Sequence, residues 1–185
     1  MDWLSVDGAL WVAWGAYWAY ASRATKADRS AEPLPQRLGH LGALAIAFLA
    51  LFSGVLSVGP LDLRLLPAVT APLGAAVAAA GLAFMVWARV HLGMYWSGRI
   101  TLKEGHRLIR TGPYRFVRHP IYTGFITGIL GVAITVGRVR GLVALIVVVA
   151  AYLVKMRREE AALSTQFGEE YEQFRREVPA LIPFI

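Results

Sequence analysis

Residues 105–124 read GHRLIRTGPYRFVRHPIYTG. The stretch is dense in Arg, His, Tyr, Gly and Pro, yet long apolar runs lie on both sides of it. Hydrocarbon offers no partners for so many donors, so a polar island of this kind marks a membrane boundary and commonly carries function. The apolar runs around it decide the fold.

Outward from that island, the composition is that of a membrane protein. Of 185 residues, 57% are hydrophobic and 17% charged. A soluble domain carries about a quarter charged residues. The apolar runs suit helices crossing a core of roughly 30 Å, which takes about 20 residues each. Five spans are expected: Leu4–Ala21, His40–Val58, Pro72–Val90, Pro120–Val136 and Gly141–Met156. The first, rich in Trp and Tyr, lacks a basic leader and a clean small-residue cleavage site, so it reads as a permanent span. The last span rises only about 24 Å at 1.5 Å per residue. It either extends past the hydrocarbon as amphipathic helix or sits in thinned bilayer, with a re-entrant hairpin as the competing reading. Gly137-Arg138-Val139-Arg140-Gly141 reads as a tight turn between two antiparallel helices. The expectation is an all-α integral membrane protein with one domain over residues 1–185. Anchor helices occupy 1–88, and a working end occupies 89–185.

Orientation follows from Lys and Arg. Sixteen of the nineteen lie in the segment between the first two spans, in the connector between the third and fourth, and in the tail. The opposite side has only Arg64, Arg138 and Arg140. That asymmetry predicts an outside N-terminus, a cytoplasmic C-terminus and every motif on the cytoplasmic face. The net charge of +7 is thereby a topological feature that also suits anionic lipid. It is split among membrane-flanking loops, which argues against nucleic acid as a partner.

Other chemistries are excluded or weakened. There are no cysteines, so disulfides, thiolate metal sites and a cysteine nucleophile are absent. His40, His91, His106 and His119 form no HxxxH or HxxH pair, so no metal centre is expected. No glycine fingerprint follows a strand-like run, which argues against a soluble dinucleotide-type site.

At the working end, Thr111-Gly112-Pro113 reads as a turn. Pro120 is placed to open the fourth span, where its missing N–H costs nothing. The tail from Glu159 to Tyr171 reads as one amphipathic helix, with Leu163, Phe167, Tyr171 and Phe174 on a common face.

Several of these elements resemble the isoprenylcysteine carboxyl methyltransferase family and its relatives among phospholipid methyltransferases. The match is carried by Gly105-His106-x-Leu108-Ile109, Gly112-Pro113-Tyr114, Arg118-His119-Pro120-x-Tyr122-x-Gly124, Glu159-Glu160 and Phe167-Gly168-Glu169-Glu170-Tyr171. The close, from Val178-Pro179 to Pro183-Phe184-Ile185, is similar as well. The resemblance covers roughly residues 89–185. It implies an integral membrane enzyme that binds S-adenosyl-L-methionine at the cytoplasmic face without a soluble cofactor domain. By the same resemblance, His106, Arg107, Leu108, Ile109, Tyr114, His119, Pro120, Ile121, Tyr122 and Glu159 are the expected cofactor contacts. A lipophilic acceptor is expected to enter sideways from the bilayer. The family's acceptor-binding arginine appears here as Lys155, with Arg158 beside the glutamates. Lys neutralises a carboxylate but lacks the planar fork of Arg.

The residue types suit methyl transfer. A sulfonium methyl is already activated, so the protein must align acceptor, carbon and sulfur and exclude water. A carboxylate acceptor needs no base; an amine or hydroxyl needs one, and His119 or Glu159 are the candidates. Lys155, Arg158 and Glu159 form the expected catalytic set. Against this stand simpler roles: Arg115 and Arg118 as snorkelling cations, His119 as a cap, Glu159-Glu160 as ordinary surface charge. Two other function classes stay open. One is an NADPH-dependent sterol-type reductase, and the other a non-catalytic membrane scaffold.

Overall fold

The structure is a computed structural model that describes residues 2–24, 33–96 and 108–183. Among these residues it is all-helical, with six α-helices joined by short 3₁₀ turns. They are α1 Trp3–Ala21, α2 Leu34–Phe52, α3 Ala71–Leu92, α4 Pro120–Val136, α5 Val139–Phe167 and α6 Glu169–Glu177. Three segments, Leu34–Phe52, Ala68–Leu92 and Val139–Phe167, are long and apolar enough to cross a membrane. Exposed aliphatics such as Ile46, Leu49, Leu73 and Ile146 give the bundle the lipid-facing surface of an integral membrane protein.

Two expectations need correction. The second helix was expected over His40–Val58 but runs Leu34–Phe52. Pro35 is tolerated in the first turn, so the helix starts earlier. Ser53 ends it, because its hydroxyl turns back to the carbonyl of Leu49 and its backbone becomes extended. The fifth helix extends past the apolar span Gly141–Met156, which one of the two readings of its short length allowed. It continues through the charged residues to Phe167, and the expected single helix over Glu159–Tyr171 is divided at Gly168. Gly168 has φ 52° and ψ −127°, a conformation costly for residues with a Cβ, so a glycine breaks the chain here. The helix α6 then turns back so that Tyr171 and Phe174 are buried.

The core is a set of close helix pairs. Along the contact of α3 with α4, small residues replace side chains altogether. A Cβ on Gly81 would lie 2.5 Å from the amide nitrogen of Gly128, and one on Gly74 would lie 2.5 Å from Thr135. A Cβ on Gly131 would overlap the backbone of Ala78. This is the small-residue packing by which membrane helices gain dispersion contacts that lipid cannot match. Aromatic side chains fill the wider gap. The ring of Trp11 on α1 meets Phe48 of α2 and Phe125 of α4 edge-on, each at 5.0 Å.

Helix ends are closed by arginines. Arg89 is buried on α3 and donates to the carbonyls of Ala21, at the end of α1, and Gly93. Arg140 donates to the carbonyls of Ala50 and Ser53 at the end of α2. Each guanidinium satisfies carbonyls that a helix terminus leaves unpaired. These contacts tie the end of α1 to α3 and the end of α2 to the start of α5.

Candidate active site

The site begins where α4 starts. Pro120 occupies the first turn, and the amides of Arg118 and His119 precede the helical ladder. Those two N–H groups donate to the carbonyls of Pro179 and Ala180, at 2.9 and 3.0 Å. One turn on, Thr123 Oγ1 donates to the carbonyl of Leu181 at 2.7 Å. The C-terminal segment is thus strapped along the start of α4.

The second wall is α5. Tyr152, Lys155 and Glu159 recur at steps of three and four residues, which puts them on one helix face. Tyr122 on α4 donates its hydroxyl hydrogen bond to Glu159 Oε2. His119 Nδ1 lies 3.6 Å from the same oxygen. The rings of His119 and Tyr122 stack nearly parallel, centroids 5.3 Å apart. Tyr122 leans on Tyr152 at 4.8 Å, and Lys155 Nζ sits 6.0 Å from the Tyr122 ring centroid.

Glu160 anchors the other side of this cluster. Its Oε1 accepts from Arg118 Nε at 3.0 Å, Arg118 Nη2 at 2.7 Å and His119 Nε2 at 3.2 Å. Arg118 Nη1 also donates to the carbonyls of Arg175 and Val178. One side chain therefore joins α4, α5, α6 and the tail. Arg118 is committed to this internal pair rather than to lipid phosphate.

Burial sets the state of two phenols outside the long apolar helices. Tyr114, in the 3₁₀ turn Gly112–Arg115, is pushed well up by desolvation and further by the Glu159 charge, with Arg89 opposing. Desolvation and the charge of Glu160 raise Tyr171 likewise, against Arg118. Both stay protonated over the working range of pH.

The structure gathers His119, Pro120, Ile121, Tyr122 and Glu159 at one place. Tyr114 is buried beside the ring of His91, at 6.4 Å. Leu108 and Ile109 are half-buried in the chain leading to it. His106 and Arg107 lie outside the described residues. Lys155 and Arg158 line an adjoining groove of about 590 Å³ between α2 and α5, with Gly39, His40, Ala43 and Val154. The His40 ring meets Tyr152 edge-on at 5.0 Å, so the groove backs onto the same aromatic wall as Tyr122. Among the described residues no group of three His, Cys, Asp or Glu side chains is placed to hold a metal.

Sequence reasoning left out Tyr152, His40 and the pairing of Arg118 with Glu160. Helical spacing back from Glu159 points to Tyr152. The Arg118–Glu160 contact spans 42 residues and has no local signal.

The isoprenylcysteine carboxyl methyltransferase (ICMT) family model matches residues 73–165. A protein-S-isoprenylcysteine O-methyltransferase of Schizosaccharomyces pombe is 37% identical over 101 residues, which is 53% of this chain and 43% of that protein. A methanethiol S-methyltransferase of Crocosphaera subtropica is 42% identical over 73 residues, covering 39% of this chain and 28% of that protein. The chain therefore spans less than half the length of the curated relatives it matches. In fold, it is similar to the structure of a eukaryotic intramembrane Ras methyltransferase, ICMT. The TM-score is 0.53 and the identity 22%, covering 83% of this chain and 54% of that one. The family match takes in α3, α4 and most of α5, half of the chain and both walls of the Tyr122–Glu159 cluster, and the chain belongs to the isoprenylcysteine carboxyl methyltransferase family.

Proposed function

We propose that this chain is an S-adenosylmethionine-dependent methyltransferase acting on a lipophilic acceptor that arrives from the bilayer. The observation that carries the reading is the meeting of Tyr122, His119 and Glu159 from distant parts of the sequence in one cluster. Its donor set fits a cationic nucleoside. Among the described residues Glu159 engages only Oε2, which leaves Oε1 to accept from ribose hydroxyls or an ammonium group. The ring of Tyr114 offers a face to adenine or to a sulfonium, while the Tyr122 ring, stacked on His119 and against Tyr152, borders the same place. Leu108, Ile109, Tyr114, His119, Pro120, Ile121, Tyr122 and Glu159 would hold the cofactor, joined by His106 and Arg107.

When bound, S-adenosylmethionine supplies a methyl on a positively charged sulfur as the electrophile. The protein's own work is then orientation and exclusion of water. The strapped tail and buried Tyr114 close one side of the cluster. The groove between α2 and α5 offers aliphatic wall for an acyl or prenyl chain, and Lys155 and Arg158 offer cations for an anionic group at its head. A carboxylate acceptor attacks without a base. A thiol acceptor must first lose its proton, and His119, with a ring nitrogen 3.6 Å from Glu159, is placed to take it. The methanethiol-methylating relative favours that second acceptor class.

The disposition belongs to the same proposal: five spans, an outside N-terminus and the cluster at the cytoplasmic face. Arg138 is paired with Asp62 and Arg140 with helix-end carbonyls, so little cationic charge is presented on the outer side. The decisive experiment is incubation of membranes holding the protein with methyl-labelled S-adenosylmethionine, followed by identification of the labelled product. Label in a prenylcysteine-like ester or a thioether supports the reading. Absence of labelled product, with NADPH consumption instead, would replace it with the reductase.

A further inference from the structure

The helices α2 and α4 have 19 and 17 residues. At 1.5 Å per residue they rise about 28 and 25 Å, so α2 just suffices for a hydrocarbon core of roughly 30 Å and α4 falls short of it. Something must occupy the missing depth at the end of the bundle opposite the Tyr122–Glu159 cluster. The segment joining α2 to α3, residues 53–70, lies there. The amides of Leu65 and Leu66 donate to the carbonyl of Gly137 at 2.8 and 3.1 Å, and Val139 donates to Leu63 at 3.0 Å. The segment thus lies across the turn between α4 and α5.

Its surface is the reverse of a water-facing connector. Val55 is 73% exposed, Leu63 61% and Val69 82%. Its acidic group is paired, Arg138 donating to both the carboxylate and the carbonyl of Asp62. Part of its backbone is closed on itself: Ser57 donates to Gly54, Leu61 to Val58, Leu63 to Pro60 and Thr70 to Pro67. Pro60 and Pro67 contribute no N–H. Non-helical chain is tolerated at membrane depth only when its polar groups are satisfied in this way.

We infer that residues 53–70 form a membrane-seated cap, held in the headgroup–acyl boundary of the leaflet opposite the site. Lipid is the occupant because the cap's exposed aliphatics lie in the chain between the exposed Leu49 of α2 and Leu73 of α3, and of its two charged residues, Asp62 and Arg64, only Arg64 is exposed. The cap completes the thickness that α4 lacks, and Arg64 stands at the level of lipid phosphate.

The chain's lack of cysteine makes the test clean. Val55→Cys, Leu63→Cys and Val69→Cys are each labelled with a nitroxide and reconstituted in phosphatidylcholine–phosphatidylglycerol liposomes. Ile146→Cys in α5 serves as the deep reference and Glu170→Cys in α6 as the aqueous one. Collisions with oxygen and with a water-soluble nickel chelate are then compared. The cap positions should give an oxygen-to-nickel ratio several-fold above that at residue 170. A ratio equal to that at 170 would overturn the inference by making the segment a water-facing loop. Low collision with both reagents, with dipolar broadening that vanishes on dilution with unlabelled protein, would overturn it in favour of a protein interface. The labelled sites are exposed, so folding is not at stake, and two agreeing positions suffice.

Discussion

Loss of Glu160 should loosen the whole site, and the cost follows from its partners. Its carboxylate accepts three hydrogen bonds, two from Arg118 and one from His119. The Arg118 and Glu160 side chains are 10% and 13% exposed, so solvent screens the pair little. Removing one member of a buried pair costs about 3–5 kcal/mol, because the survivor is left charged and unpaired. Arg118 keeps the carbonyls of Arg175 and Val178, so Glu160→Ala should fall at the low end, about 3 kcal/mol. Arg118→Ala should cost about the same, since among the described residues Glu160 keeps His119 at 3.2 Å and Arg175 at 3.9 Å. The double variant leaves no orphan charge, so it should cost less than the sum, with a coupling of about 2 kcal/mol. Equilibrium unfolding of the purified protein in micelles, followed by tryptophan fluorescence, measures all three. Arg110–Glu177 is the control. Its members are 32% and 46% exposed, and Arg110→Ala should cost about 1 kcal/mol or less. Additivity within about 0.5 kcal/mol, or single costs no larger than the control, would refute the clamp.

Three further outcomes follow from the packing. Gly131→Ala should lower stability by about 1–3 kcal/mol, because the new methyl meets the backbone of Ala78 and neither helix can give locally. Gly8→Ala, where nothing lies within 4 Å, should be neutral or slightly stabilising on the same thermal unfolding curve. Arg140→Ala leaves the carbonyls of Ala50 and Ser53 unpaired and should cost about 1–3 kcal/mol, with faster amide exchange confined to the end of α2. On the surface, the hydrogen bond from Ser164 holds the Glu172 carboxyl below its usual range, with Arg175 assisting. A folded value below the unfolded one adds stability above the ordinary glutamate value of about 4.3, lost as pH falls through the depressed value. Ser164→Ala should therefore flatten the acid limb of the stability–pH curve, read from thermal midpoints.

Much of the frame was legible because hydrophobicity alone encodes it. The fourth helix was read at its observed bounds, since Pro120 opens it and Gly137 closes it. The second was read too far toward the C-terminus. Its apolar run continues past Ser53 into the exposed leucines of the cap, and hydropathy does not distinguish a helix from a closed apolar loop. The fifth span was bounded at Met156 by the charge at Arg157–Glu160, with a helical extension beyond it left open, since backbone helicity does not require apolar side chains. Its true break, Gly168, is a matter of φ. At the site, the resemblance to the methyltransferase family brought forward Tyr122 and Glu159, whose contact the structure contains. Tyr152 and His40 carry no motif, and their place follows only from how α2 and α5 pack.

The account stands on the claim that the Tyr122–Glu159 cluster receives a sulfonium nucleoside. The most direct measurement is calorimetric titration of purified protein with S-adenosylhomocysteine, repeated on Glu159→Ala and Tyr122→Phe. Saturable binding is expected, abolished by Glu159→Ala and weakened about tenfold by Tyr122→Phe, the loss of about 1.4 kcal/mol for one hydrogen bond to a charged group. No binding, or binding of equal strength in all three proteins, would contradict it.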